Sequence, residues 1–92
     1  MAWQIVKQPN GLFARWSNIV DTLTHTNCDF DGMVALCMEW YDMSISEATD
    51  KVNRAKQNPA RWENCIRTIA KQHGQPMADA FVEECSSAFA VK

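Results

Sequence analysis

The chain has 92 residues, 47% of them hydrophobic, and its nine basic and eleven acidic side chains leave a formal net charge of −2. That length accommodates one domain, 1–92, with a single modest core that buries roughly 60–65% of the unfolded surface. The apolar content excludes a disordered polymer, and no apolar run approaches the ~20 residues needed to cross a bilayer, so no membrane partner is expected.

Residues Trp3 to Trp16 read as a β-hairpin. Trp3-Gln4-Ile5-Val6-Lys7 and Leu12-Phe13-Ala14-Arg15-Trp16 are rich in strand-forming types, and Pro9-Asn10-Gly11 between them is turn chemistry. Proline presets φ, asparagine tolerates the second central position, and glycine accepts the left-handed residue that follows. Two strands alone are marginal, and Ile19, Val20, Thr22 and Thr24 predict a third from about Ile19 to Thr24. Trp3 and Trp16 are expected as a cross-strand pair.

From residue 28 onward the pattern is helical. Met33, Leu36, Cys37, Trp40 and Tyr41 recur at spacings of three and four, predicting a helix from about Asp31 to Asp42, capped by Asp29 or Asp31. Ser44-Ile45-Ser46-Glu47 has the capping-box form and opens a second helix to about Gln57, with Ile45, Ala48, Val52 and Ala55 inward. Asn58-Pro59 supplies a cap and a first-turn proline for a third helix, whose stripe is Trp62, Cys65, Ile66, Ile69 and Ala70 and whose stop is Gly74. Pro76 begins a fourth, with Met77, Ala80, Phe81, Cys85, Ala88 and Phe89 inward. The expected fold is α+β: a β region over 1–27 packed with about four helices over 28–92, successive helices lying side by side because their links are short.

Cys28, Cys37, Cys65 and Cys85 would permit two disulfides in three pairings. Each sits among apolar helical neighbours, which reads as free buried thiols in a reducing compartment. The opening Met1-Ala2-Trp3-Gln4 lacks a charged leader followed by an apolar block, and the expected location is the cytoplasm.

The charges are unevenly placed. Lys51, Arg54, Lys56, Arg61, Arg67 and Lys71 stand against Glu63 alone, so residues 51–71 carry +5 and the rest of the chain −7. Lys51 and Arg54 share the outer face of the second helix. Arg67 and Lys71, with Asn64 extending the row, share that of the third, and Arg61 lies near the joint. If the two helices form a hairpin, the cations converge on a surface suited to spaced phosphates, with Asn53, Gln57, Asn58 and Asn64 able to reach base edges or sugars. The competing reading is solvated helix faces with Glu63 pairing Arg67 at i, i+4. Asp21, Asp29, Asp31, Glu39 and Asp42, and later Asp79, Glu83 and Glu84, read as solvated acids with a helix-start role for the first aspartates. Trp40 and Trp62 fall on apolar stripes and are expected in the core.

Catalysis finds little support. His25 and Cys28 have no second pair to complete a tetrahedral set, so no metal is expected. His73 reads as a favourable charge at a helix C-terminus. No phosphate loop, nucleophile elbow or metalloprotease signature is present, which predicts no enzyme, no cofactor and no small-molecule substrate.

The opening from Trp3 to Ser17 looks like the start of a set of small phage proteins, and the length and whole sequence resemble the small anti-CRISPR proteins that act on type I-F systems. That resemblance implies a stoichiometric inhibitor in the cytoplasm of the host bacterium. Its partner would be the crRNA-guided surveillance complex (Csy), with its backbone and DNA-recognition subunits, and its effect would be to block target DNA. The residues themselves then place the contacts at Lys51, Arg54, Lys56, Arg61, Asn64, Arg67 and Lys71, touching RNA or an acidic protein surface while the chain's acids meet the basic DNA path. A second site is expected at the hairpin tip, with Asn10 exposed and Lys7 and Arg15 on its arms. The alternative is a small DNA-binding regulator using the second and third helices as a helix-turn-helix-like pair.

Overall fold

A computed structural model describes residues 3–86. Three strands, β1 (Trp3–Lys7), β2 (Phe13–Ser17) and β3 (Thr22–Cys28), precede four helices, α1 (Phe30–Tyr41), α2 (Ile45–Lys56), α3 (Ala60–His73) and α4 (Gln75–Ser86). The strands form one antiparallel sheet in the order β1-β2-β3. The fold is α+β, as the residue pattern predicts.

The first hairpin closes as its turn residues dictate. Gly11 N–H donates to the Gln8 carbonyl at 3.0 Å and Gln8 N–H to the Leu12 carbonyl at 2.8 Å. Gly11 takes φ +87°, where a side chain would be strained even though the space around it is open. The second connection differs from expectation. Ile19 and Val20 form the turn, not the strand, and are 80% and 48% exposed. Ser17 Oγ accepts the Ile19 N–H and Asp21 takes a left-handed φ of 51°, so the chain reverses before its β-branched pair can enter the sheet. β3 therefore starts later and runs through Cys28, into the region read as helical, with register shifts opposite Arg15.

The sheet is covered on both faces, and strand alternation sorts its side chains. Trp3, Ile5 and Phe13 meet Met33, Val34 and Cys37 of α1 and Ala48, Val52 and Ala55 of α2. Val6, Ala14, Trp16 and Leu23 meet Trp62, Cys65 and Ile69 of α3 and Ala78 and Cys85 of α4. Trp3 and Trp16 are thus on opposite faces, because Trp3 registers with Ser17 and Trp16 with Gln4.

Local signals set the helix ends. Asp29 Oδ1 accepts the Gly32 N–H at 2.7 Å. Ser44 and Glu47 make both bonds of a capping box, each 3.1 Å. Gly74, at φ +102°, ends α3. Asn58 does not cap α3; Pro59 occupies the cap position without a side-chain bond. Three residues expected inward turn outward: Trp40 is 50% exposed, Ile45 65%, and Ala80 is exposed. Ala88 and Phe89 lie outside the described residues. The four cysteines are free thiols, with Cys37, Cys65 and Cys85 buried. Burial pushes the Cys65 thiol up to about 12, against a smaller lowering by Arg61, and pushes that of Cys85 to about 12 with Glu84 adding to it.

Candidate nucleic-acid interface

α2 and α3 do not form the expected hairpin. α2 packs on α1 and β1, whereas α3 packs on α4, β1 and β3, and the two helices share no packed interface. Their short link is a crossover. It carries the chain from one face of the sheet to the other past the open edge of β1, where Pro59 and Trp62 border the same hollow as Lys7 and Pro9. The expected convergence of all six cations on one helical pair is thereby corrected. So is the geometry of a helix-turn-helix-like pair, which needs its two helices packed together.

The cations instead divide about the β1 edge. On one side, Lys51 Nζ sits 4.6 Å from the centre of the Trp3 ring, a cation–π contact that fixes its direction. Arg54, one turn on, pairs with Asp50 at 2.8 Å across an exposed surface. Lys56 is exposed, and at ~100° per residue it falls on the opposite flank of α2 from Lys51 and Arg54.

On the other side, α3 supplies a continuous row. Arg61 is half-buried and its Nη1 donates to the Ile5 carbonyl at 3.1 Å, satisfying a backbone acceptor of the edge strand. It also borders a shallow cleft of about 180 Å³ lined by Gln4, Trp16, Asn64, Cys65 and Thr68. Arg67 Nη1 donates to Asn64 Oδ1 at 3.3 Å instead of turning to Glu63. Lys71 is exposed one turn further. At 1.5 Å of rise per residue the row from Arg61 to Lys71 extends about 15 Å along the helix. Arg61, Asn64, Arg67 and Lys71 are therefore brought together, Lys51 and Arg54 lie across the β1 edge from them, and Lys56 stands apart.

At the hairpin tip, Asn10 is less exposed than expected. Asn10 is half-buried: its Oδ1 accepts from Gln8 Nε2 and Leu12 N–H, both 3.0 Å, and its Nδ2 donates to Asn27 Oδ1 at 3.0 Å. Gln8, 1% exposed, holds the centre of this network, donating to Asn27 Oδ1 and accepting the Asn27 N–H, both at 2.7 Å. Arg15 turns away from the tip and lies beneath α1, donating to the Tyr41 hydroxyl and, at 2.8 Å, to Thr24 Oγ1. Lys7 is half-buried.

Trp40, expected in the core, lies at the surface. It closes a ladder of rings and cations across the sheet: the His25 ring meets Trp40 edge-on at 4.6 Å, Arg15 lies 5.5 Å from the Trp40 ring and 5.6 Å from that of Tyr41, and Tyr41 stacks on Trp3 at 3.8 Å. His73, read as a helix-end charge, places Nε2 2.8 Å from the Val20 carbonyl and so ties α3 to the exposed turn. Among the described residues no group of three His, Cys, Asp or Glu side chains could hold a metal ion, and no helix is long and apolar enough to cross a membrane. Compared with known proteins, the chain matches no family model, no curated protein and no solved structure.

Proposed function

We propose that this chain is a phage-encoded anti-CRISPR inhibitor that binds the type I-F crRNA-guided surveillance complex in the host bacterium and blocks target DNA. The observation that supports this reading is the α3 row of Arg61, Asn64, Arg67 and Lys71 beside the β1 edge. It offers Asn64, Arg67 and Lys71 on the outer face of the helix and Arg61 on the flank toward the sheet, already oriented by the Ile5 carbonyl. Such a line suits the phosphates of an RNA or an acidic protein surface. The resemblance of the Trp3–Ser17 opening to small phage proteins supplies the partner: the backbone and DNA-recognition subunits of the complex, with their crRNA. Inhibition is by occupancy, one molecule holding one site, and needs neither cofactor nor turnover.

The separation of α2 from α3 favours this reading over a DNA-binding regulator. A mobility-shift titration of the purified type I-F complex with target DNA tests it. Target binding falls to background when the chain approaches stoichiometry, and R67A/K71A raises the concentration needed by about tenfold, the loss of two charge-assisted contacts. Undiminished target binding at a large excess of the chain rejects the proposal. A salt-sensitive shift of free duplex DNA by the chain alone returns the regulator.

A further inference from the structure

The sequence holds six asparagines, and only Asn10 is followed by glycine; the others precede Ile19, Cys28, Arg54, Pro59 and Cys65. The side-chain carbonyl carbon of an asparagine lies one ring closure away from the backbone nitrogen of the next residue. Attack by that nitrogen gives a five-membered succinimide, and a side chain on the next residue obstructs it. Gly11 has none, and nothing stands within 4 Å of where its Cβ would lie. Asn10–Gly11 is therefore the pair whose chemistry favours closure.

The hairpin withholds that reaction through its nucleophile. Gly11 N–H donates to the Gln8 carbonyl at 3.0 Å, so the nitrogen points into the turn and its proton is engaged. The electrophile is the opposite case. Asn10 Oδ1 accepts from Gln8 Nε2 and from Leu12 N–H, both at 3.0 Å, and two donors on one carbonyl oxygen draw electron density from its carbon. An activated carbonyl thus stands beside a tethered nitrogen, and the reaction waits on the turn bond. Gln8, joined to Asn27 at 2.7 Å through both ends of its amide, keeps the turn closed against β3.

We propose that Asn10 is a site of spontaneous deamidation gated by opening of the hairpin tip. Once the turn opens, the Gly11 nitrogen gives up its proton and bonds to Asn10 Cγ. The Cγ–Nδ2 bond breaks and Nδ2 leaves as ammonia, taking a proton with it. Water then opens the succinimide at either carbonyl, leaving aspartate in one case and isoaspartate in the other. The aspartate sets a carboxylate oxygen where Nδ2 had donated to Asn27 Oδ1, and the isoaspartate lengthens the main chain of a tight turn by one methylene. Neither product fits the closed tip, so reclosure does not undo the change. Asn10 N–H also meets the Cys85 carbonyl at 3.3 Å, which carries the disturbance to the end of α4. This site is independent of the α3 row and of the type I-F complex.

Mass spectrometry of the full chain, incubated in mildly alkaline buffer and digested with trypsin, reads the conversion in the peptide Gln8–Arg15, whose only asparagine is Asn10. Conversion is expected to be at least about tenfold faster in the urea-unfolded chain than in the folded one, with no other asparagine keeping pace. Q8A and N27G, each checked for native circular dichroism, are expected to raise the folded-state rate about tenfold, because each removes bonds that hold the tip shut. Glycine accepts the left-handed φ of 58° at position 27, so N27G removes the side chain without straining the backbone. If neither variant folds, the wild-type rate at urea concentrations below the unfolding transition gives the same readout, rising with the population of open tips. The converted chain is expected to unfold at lower urea than the unconverted one. Equal rates in the folded and unfolded chains, a rate unmoved by both variants and by sub-transition urea, another asparagine converting first, or equal urea midpoints before and after conversion would each overturn the proposal.

Discussion

The two helical layers cover the same three strands with buried clusters of nine residues each, yet they place their aromatic and charged groups in opposite ways. The α3/α4 layer buries Trp62 against Trp16 of the sheet and leaves its cations in a row outside. The α1/α2 layer runs its rings out to the surface, from Trp3 through Tyr41 to Trp40, threading Arg15 between them. The lesson is that a charged residue's neighbours decide its availability. Arg15 and Lys51 are bound up with rings, whereas Arg67 and Lys71 have helix surface and solvent around them.

The comparison can be broken most severely at the two cores. Ile69 and Met33 are each fully buried, one in each layer. Ile69→Ala and Met33→Ala are each expected to cost about 2–5 kcal/mol in urea unfolding. If the layers are held to one sheet as a single cooperative unit, both variants keep one transition followed identically by fluorescence and circular dichroism. Two transitions in either variant would show that the layers melt separately.

Gln8 belongs to neither cluster and links the hairpin tip to β3. Gln8→Ala removes the acceptor of the Asn27 N–H and the centre of this network, and is expected to cost about 1–3 kcal/mol. A loss below about half a kcal/mol would mean that water replaces the side chain.

The contrast between the layers is sharpened further through their thiols. Cys65 and Cys85 both lie in the α3/α4 layer, raised to about 12 by burial, against an unfolded value of ~8.5. A raised acid keeps its proton in the folded chain while the unfolded chain loses it. Their contribution is therefore complete below pH ~8.5 and declines as pH rises toward 12, by at most ~1.4 kcal/mol per pH unit for each thiol. Urea midpoints at pH 8, 9 and 10 should fall accordingly, and Cys65→Ala should flatten the fall by one thiol's share. An unchanged slope in that variant would show that residue 65 is not the group responsible.

What could be read from the residues was local. Pro9-Asn10-Gly11 and Ser44 to Glu47 act within four residues, so their turn and cap could be recognised without knowing what lay nearby. Asp29 and Gly74 are of the same kind. Trp40 was misjudged because a spacing of three and four identifies a stripe but not how wide the covered part is; β3 stops short of it and offers only His25. Ile19 and Val20 have the chemistry of a strand, and only the Ser17 bond and the Asp21 backbone make them a turn. The α3 row was legible as helix periodicity. Its relation to Lys51 and Arg54 was not, since a three-residue link shows that two helices are near each other and says nothing of a sheet passing between them. Arg15 was hidden for a similar reason, its partner Tyr41 being 26 positions away.

The crossover at Gln57 to Pro59 also governs how the sheet can meet other chains. With Arg61 donating to the Ile5 carbonyl, one acceptor on the outer edge of β1 is already taken, which hinders pairing by a foreign strand there. The other border of the sheet is β3. That strand is broken by irregular register and by a left-handed Asn27, so aggregation by edge growth is discouraged at both margins by unrelated means.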